Sequence, residues 1–201
     1  MRDETFAAGD GRLARPPGED LTKPMRQLLL LRHAKSSWDD PRISDHARPL
    51  NARGRAAAAA MARAMRDLGL APDLVLVSSA RRTLQTLEAL EPWDDAPLIE
   101  PMDQLYLASP RTLLTVLRGT AETVRSVLLI GHNPGLHELA MLLAGARVMA
   151  QGTGLTQRLA DGYPTATLTE FSVPGPWWAL DEGGGRLVRM LAPRDLPEFA
   201  G

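Results

Sequence analysis

Two histidines and a few arginines, each set at the end of a short apolar run, are the residues of this chain that could do chemistry. Arg32-His33 closes the run Leu28 to Leu31, and His132 follows Gly131 after Ser126 to Ile130. Between them, V-S-S-A-R-R-T-L-Q-T sets Arg81 and Arg82 just beyond a third run, Asp73 to Val77. Imidazoles and guanidiniums converging without any cysteine suggest phosphoryl chemistry. The guanidinium fork matches phosphate oxygens two at a time and stays charged at any working pH. A neutral imidazole is a competent nucleophile toward phosphorus, and neighbouring guanidiniums hold it neutral near pH 7 by charge repulsion. The competing bland reading is that these are polar strand ends and solvated arginines.

The elements that must position them can be read from the same pattern. Each run is short enough for a strand buried on both faces of a parallel sheet, and ligands of such sheets sit beyond the carboxyl ends of the strands. Ala34 to Pro49 reads as a loop over that edge. Asn51 is suited to cap a helix over Ala52 to Leu68 that Gly69 ends, and Ser79 one reaching about Glu91. Two cations in the first turn of that second helix oppose its dipole, so a bound anion would compensate. Pro97 to Glu100 reads as a short strand. Ser109 and Pro110 begin a further helix that runs to Leu117, and Asn133 and Pro134 begin another. Arg147 to Tyr163 shows no clear period and reads as an irregular excursion. Thr165 to Val173 and Arg186 to Leu191 form a hairpin at the sheet edge, with Gly183 to Gly185 as a turn. Trp177 and Trp178 read as edge packing. The fold expected is a three-layer α/β/α domain with a mostly parallel sheet, spanning residues 25–201.

Composition limits the function. With 44% hydrophobic and 23% charged residues and a net charge of −1 over 201 residues, the chain lacks the basic excess of a nucleic-acid binder. No apolar stretch approaches the roughly 18 residues of a membrane span, so no membrane partner is expected. The absence of cysteine rules out disulfides and thiolate chemistry and fits a reducing compartment, so a cytoplasmic protein is expected. Residues 1–24 are polar, hold Pro16 and Pro17, and lack the apolar segment of a secretory signal; they read as a disordered extension, with Met25 immediately before the first strand.

From Met25 onward the chain resembles the histidine phosphatase superfamily, with its phosphoglycerate-mutase-like fold. Within it the chain is similar to the small SixA-type phosphohistidine phosphatases. The resemblance rests on L-L-R-H-A-K-S-S-W, H-A-R-P-L-N-A-R-G, V-S-S-A-R-R-T-L-Q-T and L-L-I-G-H-N-P-G-L, in that order. It implies that His33 is the nucleophile that becomes phosphorylated, that Arg32 and Arg82 hold the phosphoryl oxygens, and that His132 donates to the same oxygens. Arg82 is preferred to Arg81 because it has the spacing of R-x-x-Q-T to Gln85 and Thr86. Where family members place a glutamate as proton donor, in a segment resembling M-D-Q-L-Y, this chain has Asp103, one methylene shorter. Many members have R-H-G where Ala34 stands here. Lys35 and Ser36 are candidates to line the site.

The function implied is a phosphohydrolase working through a phosphohistidine intermediate, without metal or cofactor, on a phosphorylated protein or a small phosphorylated substrate. Phosphohistidine on a protein is the favoured substrate, because no large lid is available between His33 and the first helix. A small-molecule phosphomonoester phosphatase is the alternative, followed by a non-catalytic phosphate-binding module. A metal hydrolase is disfavoured: His132 and His137 straddle a helix start, and no H-E-x-x-H occurs. His46 and His137 receive no role.

Overall fold

Leu28, Leu29, Leu30 and Leu31 have no exposed surface, which a strand achieves only when both of its faces are covered. In the computed structural model, which describes residues 25–152 and 154–199, they form the middle of β1 (Arg26–Arg32). Burying each side chain contributes about 1.5–3 kcal/mol, so this strand anchors the core. The expected disorder of residues 1–24 lies outside the described residues.

The other strands are β2 (Leu74–Ser78), β3 (Leu98–Met102), β4 (Ser126–Gly131), β5 (Leu168–Val173) and β6 (Arg186–Leu191). They form one sheet in the order β3-β2-β4-β1-β5-β6. The four strands from β3 to β1 are parallel, whereas β5 runs antiparallel to β1, and β6 to β5. The sheet is therefore mixed, with its parallel part on the side that carries the histidines. Pro101, which lacks an amide donor, lies in the exposed edge strand β3, where the missing hydrogen bond costs least.

Alternate residues of each central strand face opposite helical layers. On one face Leu29, Leu31, Val75 and Val77 pack with Met61 and Met65 of α1 (Ala52–Asp67) and Leu87 of α2 (Arg81–Glu88). On the other, Leu28, Leu30 and Leu129 pack with Leu113 of α3 (Pro110–Arg118) and Leu136 and Leu139 of α4 (Gly135–Ala144). This is the three-layer α/β arrangement expected. No described helix is long and apolar enough to cross a membrane.

Two of the four expected caps are present. Asn51 Oδ1 accepts from the Gly54 amide at 2.8 Å, and Ser109 Oγ from the Thr112 amide at 3.2 Å. The other two expectations are corrected. Ala80, not Ser79, precedes α2, and Ser79 Oγ instead meets His46 Nε2 at 3.0 Å. Pro134, not Asn133, precedes α4, and Asn133 Nδ2 donates to Tyr163 O at 3.0 Å. In both cases a tertiary partner outcompetes the local amide. The expectation of an irregular excursion over Arg147 to Tyr163 is also corrected: its described residues contribute to α5 (Ala146–Met149) and α6 (Gly154–Asp161), the latter held by buried Leu159. Trp177 is fully buried and donates to Val124 O at 2.9 Å, whereas Trp178 is exposed.

One close approach sets the loop over the sheet edge. A Cβ added at Gly54, in the first turn of α1, would collide with the Lys35 carbonyl oxygen. That oxygen also accepts from the Asn51 amide at 3.0 Å. Gly54→Ala should therefore cost about 1–3 kcal/mol, the usual range for overpacking, read as a lower urea midpoint. An unchanged midpoint would show that this contact does not hold the loop.

Candidate active site

The helices following β1 and β4 leave toward opposite faces of the sheet, although the strands are neighbours. A crevice opens at such a switch point. Arg32 and Gly131 are paired across it, and the His33 amide donates to Gly131 O at 3.1 Å. The residues that follow the register, His33 and His132, consequently face each other with ring centroids 5.1 Å apart. The end of β1 is held further by Ala166, whose left-handed backbone (φ 59°) directs its amide toward the carbonyls of both Arg32 and His33, 3.1 Å from each.

The crevice is a cavity of about 400 Å³, lined by Arg32, Lys35, Arg48 and Arg82, by both histidines, and by one carboxylate, Asp45. Four cations against one anion suit a phosphoryl group. His33 is 8% exposed, and its Nδ1 lies 2.7 Å from Ala34 O. A carbonyl only accepts, so Nδ1 carries the hydrogen and Nε2 keeps its lone pair. Burial, together with the charges of Arg82, Arg32 and Arg48, pushes the His33 pKa down to about 4. The ring is therefore neutral at pH 7, as a nucleophile must be.

His132 is also neutral, held at about 3 by burial, by His33 and by Arg82. Arg82 Nη2 lies 3.2 Å from His132 Nδ1, and because a guanidinium only donates, Nδ1 accepts. The proton is then on Nε2, which donates to Ser78 Oγ at 2.8 Å. Arg82 is 3% exposed, whereas Arg81 is exposed to solvent. Arg82 also donates to Asp45 O at 2.6 Å and to Asp45 Oδ2 at 3.0 Å. A resident carboxylate thus answers the cation in the first turn of α2. Arg32 Nη1 donates to Tyr163 O at 2.7 Å, while its buried Nε has no partner among the described residues.

The Asp45 carboxylate is shared three ways. Tyr106 donates to Oδ2 at 2.7 Å, Arg48 to Oδ1 at 2.7 Å and Arg82 to Oδ2 at 3.0 Å. The Tyr106 hydrogen bond and the two arginines hold the Asp45 carboxyl down at about 2, so it is ionised. Arg48 in turn donates to Ser36 Oγ at 2.5 Å and to Ser37 O at 2.9 Å. Gln85 and Thr86, one helical turn beyond Arg82, pin both ends of the loop. Thr86 Oγ1 accepts from the Ala34 amide at 3.0 Å and Gln85 Oε1 from the Leu50 amide at 2.7 Å.

The structure brings together Arg32, His33, Lys35, Ser36, Arg82 and His132. It does not bring Asp103 to the cavity: Asp103 is exposed at the start of a 3₁₀ turn, Asp103–Leu105. Tyr106, in the same segment, reaches Asp45 instead. His137 Nε2 donates to Leu159 O at 2.6 Å, a packing role. The residues that sequence reasoning missed are Asp45, Arg48, Ser78 and Tyr106. The one available signal was Asp45 and Arg48, three apart and of opposite charge, in S-D-H-A-R-P-L.

Residues 28–103 match the family model of the histidine phosphatase superfamily (branch 1). A candidate phosphohistidine phosphatase SixA from Agrobacterium tumefaciens is 32% identical with a TM-score of 0.70, aligned over 84% of this chain and 98% of its own. The chain belongs to the histidine phosphatase superfamily. A second candidate phosphohistidine phosphatase SixA, from Nakamurella multipartitia, has a TM-score of 0.74 at 27% identity, over 84% of this chain and 96% of its own. An uncharacterized chloroplastic protein of Arabidopsis thaliana is 31% identical over 86% of this chain and 80% of its own length.

The two depressed imidazole pKa values make this histidine phosphatase sensitive to acid. Unfolded histidine titrates near 6.5, but the folded rings resist protonation down to about 4 and 3. The unfolded chain then binds more protons in that window, so stability is complete above the unfolded value and is lost as pH falls. The urea midpoint should drop steadily from pH 7 to pH 4.5, and less steeply in His33→Gln. Equal slopes for wild type and variant would contradict the shift at His33.

Proposed function

We propose that this histidine phosphatase hydrolyses phosphohistidine on a protein, through a phosphohistidine intermediate at His33 and without a metal. His33 Nε2 attacks phosphorus and the substrate's imidazole nitrogen leaves with the bonding pair. Water then attacks the phosphoryl group on His33, the P–Nε2 bond breaks with its pair returning to the imidazole, and inorganic phosphate leaves with the water's protons. Arg32 and Arg82 hold the phosphoryl oxygens. The positive charge that Mg²⁺ supplies in other phosphoryl-transfer sites comes from guanidiniums already in position.

The observation that carries the substrate class is the ionised Asp45. Among the described residues it is the one carboxylate lining the cavity, and at about 2 it holds no proton to give an alkoxide leaving group. An imidazole leaving group needs far less help from an acid. Transfer from one imidazole nitrogen to another also exchanges like bonds, so the first step is close to balanced. Asp103, outside the cavity, is given no part. The shared SixA designation of two related structures supports the same class.

His132 must change tautomer for this reading to hold. In the geometry above, its Nδ1 faces a donor, Arg82, and has no proton to offer. When a phosphoryl group arrives, Arg82 turns to its oxygens, the proton moves to His132 Nδ1, and Nδ1 donates to the same oxygens. The Ser78 hydroxyl, which can donate as well as accept, then donates to Nε2. Imidazole ¹⁵N spectra should show His132 protonated at Nε2 in the free protein and at Nδ1 with vanadate bound. An unchanged tautomer would remove His132 as a donor.

The test of the function itself is turnover. His33→Ala should abolish activity with the fold retained, and acid-labile phosphate should be trapped on His33 during wild-type turnover. Phosphohistidine peptides should be cleaved faster than alkyl phosphomonoesters, in the presence of excess chelator. A sugar phosphate cleaved much faster than any phosphohistidine peptide would move the assignment to the small-molecule reading. Activity lost on chelation and restored by one divalent metal would end the metal-independent one.

A further inference from the structure

Beside the active-site cavity lies a second groove of about 230 Å³, and Lys35 and Thr165 line both. Its cations come from three separate segments: Lys35 after β1, Arg53 in the first turn of α1, and Arg194 in the 3₁₀ turn Pro193–Asp195. No carboxylate lines it among the described residues, and its floor is apolar, with Ala57 and the half-buried Phe199.

These three side chains make no hydrogen bond or ion pair within the described structure. The acids nearest in sequence to Arg194 are engaged elsewhere: Asp195 with Arg158 and Glu198 with Arg63. Arg53 also sits where the α1 dipole favours an anion, and the first turn of α1 holds no acidic residue. Lys35, Arg53 and Arg194 are thus left unneutralised, among the described residues, around one depression that shares Lys35 and Thr165 with the phosphoryl site.

We propose that this groove is a second anion subsite. It receives a carboxylate or phosphate on the same substrate whose phosphoryl group lies at His33. The inference rests on the reading of His33 as the phosphoryl end and adds to it that preferred substrates are doubly anionic. The second anion has two sources, an acidic residue flanking a phosphohistidine in a protein or a second charged group on a small phosphate ester.

The experiment compares wild type with the double variant Arg53→Gln, Arg194→Gln on matched substrates. One pair is a phosphohistidine peptide with flanking glutamates against the same peptide with glutamines; the other is an aryl phosphate bearing a carboxylate against its uncharged amide. 4-Nitrophenyl phosphate, with no second anion, is the control. In wild type the acidic member of at least one pair should be favoured about tenfold in kcat/KM, the size of two or three partly exposed ion pairs. The preference should vanish in the double variant, with 4-nitrophenyl phosphate turnover unchanged. It should also shrink with added salt, because these charges are exposed enough to be screened.

The pair that discriminates identifies the source of the anion. No preference in either pair, with substrates otherwise turned over, overturns the subsite while leaving the proposed function intact. Equal losses on 4-nitrophenyl phosphate in the double variant overturn it too, since the arginines would then support the fold or the reacting centre. Failure of the function reading looks different: peptides uncleaved in both proteins, or activity surviving His33→Ala.

Discussion

One carboxylate keeps the cationic edge of the sheet together. Arg48 and Arg82 are both buried and both face the same cavity, and without an anion between them their repulsion and desolvation would open the loop that brings Arg48 there. Asp45 supplies that anion, and Tyr106 secures it from a third direction. Asp45 is thereby committed to structure and stays ionised, so it has no proton to donate. The proposed leaving group follows from that constraint more than from any residue that touches substrate.

The neutrality of the two imidazoles has a related origin. Both rings lose their water on burial, and the guanidiniums beside them oppose a charge on them. One arrangement therefore gathers cations at the cavity and keeps the proposed nucleophile unprotonated. It also leaves Arg82 engaged by His132 and Asp45. In the proposed mechanism, substrate binding is an exchange of hydrogen-bond partners, and the Ser78 hydroxyl is the group that can reverse its role to permit it.

Local signals in the sequence were reliable wherever a residue's role depends on its immediate neighbours. The leucine run of β1, the Asn51 and Ser109 caps and the bounds of β6 were legible for this reason. Caps failed where a distant partner intervened, Ser79 with His46 and Asn133 with Tyr163. The short helix α6 was hidden because glycines at its margin obscure a period that only Leu159, buried under α4, makes meaningful. Asp103 was attractive by its place in a segment, yet it stays in solvent at the start of a single 3₁₀ turn while Tyr106, at the end of that turn, reaches Asp45.

By itself the sequence determined which chemistry was available: two imidazoles and several guanidiniums at the ends of buried parallel strands, with no thiol and no strong metal-ligand spacing. Strand burial and helix capping are short-range, so they survive as pattern. Tertiary structure alone decided which nitrogen of each histidine carries its proton, that Asp45 is a tether, and that Lys35, Arg53 and Arg194 share a groove. Those outcomes depend on groups far apart in the chain that meet only after the sheet has set its register, and no local pattern encodes the distance between them.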